Sequence, residues 1–310
     1  MAKHLVIATR GSALAMWQAE YVRSCLQEID PSLNISFNVI KTKGDIFLEA
    51  PLAQIGGKGL FVKEIEQALL EGRADLAVHS IKDVPMVLPE GLIIGCVPKR
   101  ESPSDCFLSH NWPDLHRLPE GASVGTSSLR RQAQLLAMRP DLHITHMRGN
   151  VDSRLKKLAG GDCDAIILAE AGLFRLGLHA PYMQPLEPGI FIPAVGQGAL
   201  GIECAEDNYQ ALTLLAQLED RDARICVQAE RAMLRALNGG CQAPIAAHAH
   251  LLDEETVTLE GMVGEPDGSA IIRVERSADA TLAENLGADV AAELLNSGAR
   301  EILTRLYSPS

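Results

Sequence analysis

Cys241, in the run Leu237-Asn238-Gly239-Gly240-Cys241-Gln242-Ala243-Pro244-Ile245, is a thiol set behind paired glycines. Residues without a Cβ reach backbone angles closed to others and let a ligand come close, while Pro244 stiffens the exit. A sulfur so placed can carry a covalent passenger. The other reading is a helix C-cap, in which Asn-Gly-Gly stops a helix over Glu230 to Leu237 and the thiol is a small apolar residue. Cationic and hydroxyl residues gather where strands end and helices begin: Arg10 and Ser12, Lys58, Lys82, Thr126, Ser128, Arg130, Arg131, Arg148 and Arg154. Helix N-termini offer unpaired N–H groups and partial positive charge, and an adjacent arginine adds a bidentate fork, so carboxylates or phosphates are the expected guests. Singly, each Ser or Thr reads as an N-cap and each Arg as a surface ion pair; together they read as a binding site for an acidic ligand. Asp83, in His79-Ser80-Ile81-Lys82-Asp83-Val84-Pro85, follows a nearly apolar strand. A carboxylate there could shuttle a proton or stabilise a developing cation, with Lys82 beside it to influence its pKa. Gln54-Ile55-Gly56-Gly57-Lys58-Gly59 suggests a loop or backbone anion cradle, but lacks the spacing of a nucleotide-binding P-loop. His79 reads as a core histidine, and His248 and His250 share a strand face with no third metal ligand nearby.

The elements that must position these residues form two similar runs. Leu5 to Ala8, Ile35 to Ile40 and Leu76 to His79 read as strands, separated by helices over Ser12 to Ile29 and Gly59 to Leu70. The second run has strands at Ser123 to Gly125, Leu142 to His146 and Ala165 to Ala169, with helices over Ser128 to Arg139 and Val151 to Leu158. Such alternation predicts open, mainly parallel, doubly wound sheets whose ligands bind beyond the carboxyl ends of the strands, here across a cleft between two facing domains. Pro98 to Asp105 and Ile192 to Gly198 read as the crossings between them. A helix from about Asp207 comes next, and a longer one over Asp220 to Leu237 opens a smaller α+β domain. Its strands are Ile245 to Leu251, Thr256 to Val263 and Ile271 to Arg276, closed by a helix over Ala280 to Ser297. The expected division is 1–98 with 198–217, then 99–197, then 218–310, the last carrying Cys241 on a loop.

Composition narrows the function. With 310 residues, 47% hydrophobic and 22% charged, the chain has the make-up of a soluble, multi-domain globular protein. A formal net charge of -12 argues against nucleic acid as a partner, so clustered arginines mark a local pocket in an acidic protein. Seven cysteines with no C-x-x-C pair suit reduced thiols and a cytoplasmic location better than a disulfide framework or zinc site. The N-terminal apolar run is too short for a signal peptide, and no uncharged stretch is long enough to span a membrane.

Along essentially its full length the chain resembles the porphobilinogen deaminase (hydroxymethylbilane synthase) family. The resemblance is carried by Ala8-Thr9-Arg10-Gly11-Ser12, Gly56-Gly57-Lys58-Gly59-Leu60-Phe61, His79-Ser80-Ile81-Lys82-Asp83-Val84-Pro85 and Val124-Gly125-Thr126-Ser127-Ser128-Leu129-Arg130-Arg131. Arg148-Gly149-Asn150-Val151, Pro193-Ala194-Val195-Gly196-Gln197-Gly198 and Gly239-Gly240-Cys241-Gln242 complete the ordered set. It implies two periplasmic-binding-protein-like domains and a small domain with a three-stranded sheet. It also implies a dipyrromethane cofactor joined by a thioether to Cys241, a linker rather than a turnover nucleophile. In this family four porphobilinogen molecules lose ammonia in turn, join head to tail on the cofactor, and leave by hydrolysis as linear hydroxymethylbilane. By motif match, Asp83 would assist ammonia loss and stabilise cationic intermediates as a buried carboxylate. Lys82, Thr126, Ser128, Arg130, Arg131 and Arg148 would hold cofactor carboxylates. Arg10, Ser12, Gln18, Lys58, Arg154, Arg175 and Gln197 would serve substrate or the growing chain. Gln54 and Phe174 depart from the family, standing where lysines are common. The resemblance further implies a monomer whose partner is a small molecule.

A two-domain solute-binding protein suits the duplicated layout equally well, and a thiol-nucleophile transferase suits Cys241. The first would return its ligand unchanged; the second would have an alkylatable Cys241.

Overall fold

The computed structural model of the chain describes residues 4–46, 59, 61–239 and 243–307. Its strands in chain order are β1 (His4–Arg10), β2 (Asn34–Ile40), β3 (Leu76–Ser80), β4 (Leu92–Cys96), β5 (Asp105–Ser109), β6 (Ser123–Gly125) and β7 (His143–Thr145). They continue with β8 (Ala165–Ala169), β9 (Tyr182–Leu186), β10 (Leu200–Ala205), β11 (Ile245–Leu251), β12 (Thr256–Gly264) and β13 (Ile271–Asp279). The chain divides into two compact units, Met1–Glu101 with Gly198–Arg224, and Ser102–Gln197 with Ile225–Ser310.

The first unit is a five-stranded sheet in the order β2-β1-β3-β10-β4. β1 runs parallel to β2 and β3, and β10 runs antiparallel to β3 and β4. A strand covered on both faces must be apolar throughout, as Leu5, Ile7 and Ala8 are. One cover is the helix Ala13–Ile29, which starts at Ser12, whose side chain accepts from the Ala15 N–H at 3.3 Å, and turns Ala15, Ala19, Val22 and Leu26 inward. The other is the helix Lys63–Leu70, which buries Ile65, Ala68 and Leu69. This helix starts later than its sequence pattern suggests, because the Gly59 carbonyl accepts from the N–H groups of Val62 and Lys63 in a preceding turn.

The second unit repeats the plan in the order β7-β6-β8-β5-β9, with β6 parallel to β7 and β8 and with β5 antiparallel to β8 and β9. The same unit holds the antiparallel sheet β11-β12-β13. The helices Arg221–Ala236 and Ala283–Leu294 pack on it, around Met233, Val257, Leu259, Val263, Val290 and Leu294. The closing helix is interrupted: a wide turn over Leu295–Ala299, with Gly298 at φ 110°, separates it from a last helix, Arg300–Tyr307. Among the described residues no helix is long and apolar enough to cross a membrane.

The doubly wound layout, the mainly parallel sheets and the three-stranded C-terminal sheet match the sequence reading. What that reading lacks is β4, β5, β9 and β10. In each five-stranded sheet the antiparallel member, β10 or β5, lies just beyond an expected crossing.

Candidate active site

In the first unit the chemistry-bearing residues collect at the carboxyl ends of the parallel strands. Arg10 ends β1, and Ser12 caps the following helix. One turn further on, the buried Gln18 donates from Nε2 to Ser80 Oγ at 2.9 Å, tying that helix to the end of β3. There β3 passes into a single 3-10 turn, Ile81–Asp83. Ile81 fills the space that a side chain at Gly201 would need and donates its N–H to Ala199 O at 3.0 Å, which anchors the turn to the segment entering β10. Lys82 is half-buried and Asp83 is exposed. The expectation of a buried Asp83 is therefore corrected: once Ile81 is driven into the core, a tight turn carries the residue two places on outward.

Two faces of Arg10 are engaged. Its Nε donates to Asp45 Oδ1 at 3.1 Å, Nη2 donates to the same carboxylate, and the guanidinium carbon lies 4.3 Å from the centre of the Phe61 ring. His79 sits inside the core as the sequence suggests, with Nε2 2.8 Å from Glu203 Oε2. Glu66 lies nearby, and burial first, then the charge of Glu203, raise its pKa.

In the second unit the equivalent strand ends carry the equivalent set. Thr126 follows β6, and its Oγ1 accepts from the Ser128 N–H at 3.2 Å. Ser128 caps the helix Leu129–Met138, with Oγ accepting from the Arg131 N–H at 3.4 Å. Arg148 follows β7 and is half-buried, and Arg154 lies in the first turn of the helix Val151–Ala159, its Nε donating to Gly149 O at 2.9 Å. Arg175 is buried in the helix Glu170–Leu176 after β8, whereas its neighbour Phe174 is 72% exposed.

Arg130, Arg131 and Gln197 are drawn inward by a residue the sequence reading passed over as part of a crossing, Asp105. Its Oδ2 accepts from Arg130 Nη1 at 2.7 Å, and its Oδ1 accepts from Arg131 Nη2 at 2.7 Å and Gln197 Nε2 at 3.0 Å. Arg130 Nη1 also donates to Ile192 O and Arg131 Nη1 to Ile167 O. Burial alone would raise the Asp105 pKa, but the two guanidinium charges outweigh it and hold the carboxyl well below its usual range. A charged residue immediately ahead of the apolar run Cys106-Phe107-Leu108 was the available signal for a buried partner.

Lys58, Gln54 and Cys241 lie outside the described residues. The other six cysteines are free thiols; five are buried, and burial pushes Cys163 and Cys204 up to about 11. His248 and His250 stack at 5.6 Å along β11. Among the described residues no group of three or more His, Cys, Asp or Glu side chains could hold a metal ion.

Fold and strand-end residues together define an α/β protein in which cationic and hydroxyl side chains follow the parallel strands of two sheets. The family model described as "Porphobilinogen deaminase, dipyromethane cofactor binding domain" matches residues 5–213, and "Porphobilinogen deaminase, C-terminal domain" matches residues 224–296. The chain belongs to the porphobilinogen deaminase family. It is 56% identical over 309 residues to "Porphobilinogen deaminase" of Nitratidesulfovibrio vulgaris (strain DSM 19637 / Miyazaki F), covering 98% of each chain. It is 52% identical over 306 residues to "Porphobilinogen deaminase" of Lawsonia intracellularis (strain PHE/MN1-00), covering 99% of each. Among solved structures it is similar to the periplasmic aliphatic sulphonate binding protein SsuA from Escherichia coli, with a TM-score of 0.40 and 15% identity over 77% of this chain and 71% of that one.

Proposed function

We propose that this chain deaminates porphobilinogen and joins four molecules of it head to tail on a dipyrromethane held by a thioether at Cys241, then releases hydroxymethylbilane by hydrolysis. The observation that carries this reading is the 56% identity over 98% of both chains to a relative named for that activity. The solute-binding alternative rests on likeness of fold alone.

The residues fit a polycarboxylate cofactor. Half-buried Lys82 follows a strand end in one unit, and half-buried Arg148 and Arg154 follow a strand end in the other, which also carries the cap hydroxyl of Ser128; each is a donor suited to acetate and propionate arms. Lys82, Thr126, Ser128, Arg130, Arg131 and Arg148 would hold those arms, the two buried arginines through N–H groups not spent on Asp105. When bound, the dipyrromethane supplies the pyrrole carbon to which new units are joined. Arg10, Ser12, Gln18, Lys58, Arg154, Arg175 and Gln197 would seat the incoming substrate and the lengthening product. Asp83 would lie against the carbon that loses ammonia, stabilise the positive charge left there, and handle the departing proton. The domain scheme that goes with this reading is 1–98 with 198–217, 99–197 and 218–310. The enzyme would be a cytoplasmic monomer that binds neither nucleic acid nor membrane.

The test is the intact mass of the purified, denatured protein, followed by peptide mapping. An excess of two deaminated porphobilinogen units on the Cys241 peptide is expected. A chain still unmodified after incubation with porphobilinogen would defeat the proposal.

A further inference from the structure

Arg10 is held by a carboxylate of its own chain in the geometry that a ligand carboxylate would use. Asp45, in the turn Lys43–Ile46, receives Nε and Nη2 of the guanidinium side-on. Asp45 is fixed in turn by the buried Thr42, whose backbone N–H and Oγ1 donate to Oδ2 at 3.1 and 2.7 Å. Phe61 covers one face of the guanidinium, and its ring lies so close over Gly44 that a Cβ there would fall 2.2 Å from Cε1, so only glycine lets the ring approach. The pair is partly wet, with Arg10 and Asp45 side chains 19% and 17% exposed. Such a pair is neither locked in the core nor dispersed in solvent, and its fork can be exchanged for another carboxylate. Hydrogen bonds from Arg10 and Thr42 outweigh the effect of burial and keep Asp45 ionised near neutrality.

The geometry points to Asp45 as an intramolecular stand-in for a substrate carboxylate: it occupies and orients the Arg10 fork until an incoming acid displaces it. Asp45 is thereby a specificity-determining residue. Trading one carboxylate for another at Arg10 is nearly neutral in energy, so an acid with one arm gains little there. A substrate with two carboxylate arms gains from its second anchor and is selected. This inference rests on the reading of Arg10 as a substrate site.

The experiment compares Asp45→Asn, Thr42→Val and Arg10→Gln in the cofactor-loaded enzyme, measuring KM and kcat for porphobilinogen and the competitive inhibition constant of propionate. Asp45→Asn keeps the shape of the side chain and removes the competing charge. It is expected to lower KM and to tighten propionate binding, each roughly three- to tenfold, with thermal unfolding reporting that the fold is intact. Thr42→Val loosens the hold on Asp45 and should move both constants the same way by less. If Arg10→Gln leaves KM unchanged, the substrate-site reading of Arg10 fails and takes this inference with it. If Arg10→Gln raises KM but Asp45→Asn leaves both constants unchanged, or raises them while kcat falls, Asp45 only orients Arg10 and the stand-in alone is overturned.

Discussion

Asp105 has no exposed surface, and two guanidinium groups converge on its carboxylate. Removing one member of a buried ionic group costs more than the group contributes, because the remaining charges keep their desolvation cost. Asp105→Asn should therefore lower the free energy of unfolding by about 3–5 kcal/mol, measured by urea denaturation at neutral pH. The pH dependence has a definite sign. The folded pKa of Asp105 lies below its unfolded value, so its contribution is complete above about pH 4 and is lost as pH falls towards the folded value. The gap between wild type and variant should accordingly narrow below about pH 4. A gap that stayed constant down to acid pH would refute the ion-pair account.

At the scale of elements, the helix Ala283–Leu294 approaches the helix Arg221–Ala236 at Gly287. A Cβ there would lie 2.4 Å from Ala229 O and 2.7 Å from both Ala232 Cβ and Met233 N. Helix propensity alone favours alanine over glycine by about 1 kcal/mol, but the clash is with backbone, which cannot rotate away. Gly287→Ala should therefore destabilise, by about 1–3 kcal/mol in the same unfolding assay, whereas a stabilised variant would mean that the helices part freely. The strands that were legible in the sequence are those with punctuation on both sides: β6 and β8 were located to the residue, and Ser12 and Ser128 announced their helices as caps. β9 is hidden because Pro185 argues against a strand, yet among the described residues β9 pairs with β5 alone and its proline sits on a sheet edge. β5 and β10, just past the expected crossings, escape a sequence reading because their partners are remote: His79 pairs with Gly201, and Asp105 with Ala169 and Leu186. The candidate site was legible as residue types at strand ends. Its wiring was not, since Asp105 reaches Arg130, Arg131 and Gln197 only through the fold.

For the whole molecule, each compact unit has cores of its own, around Leu5, Ile7, Leu76 and Ile202 in one, and around Phe107, Val124, Ala165 and Ile167 in the other. Two units with their own cores need not melt together. Scanning calorimetry should give a calorimetric enthalpy larger than the van 't Hoff enthalpy; equal values would mean a single cooperative unit.

The place of β10 has a consequence for synthesis on the ribosome. Among the described residues β4 is hydrogen-bonded in its sheet to β10 alone, and β10 also closes the edge of β3, yet it begins at Leu200, after the whole stretch Ser102–Gln197 of the other unit. At ordinary elongation rates the nascent chain waits on the order of ten seconds between the emergence of β3 and that of its partner. Throughout that interval an apolar strand edge stands open to any other extended chain. The polypeptide therefore passes through a stage in which its first sheet lacks one strand, and the stretch Ser102–Gln197 of the second unit must emerge before that sheet can close.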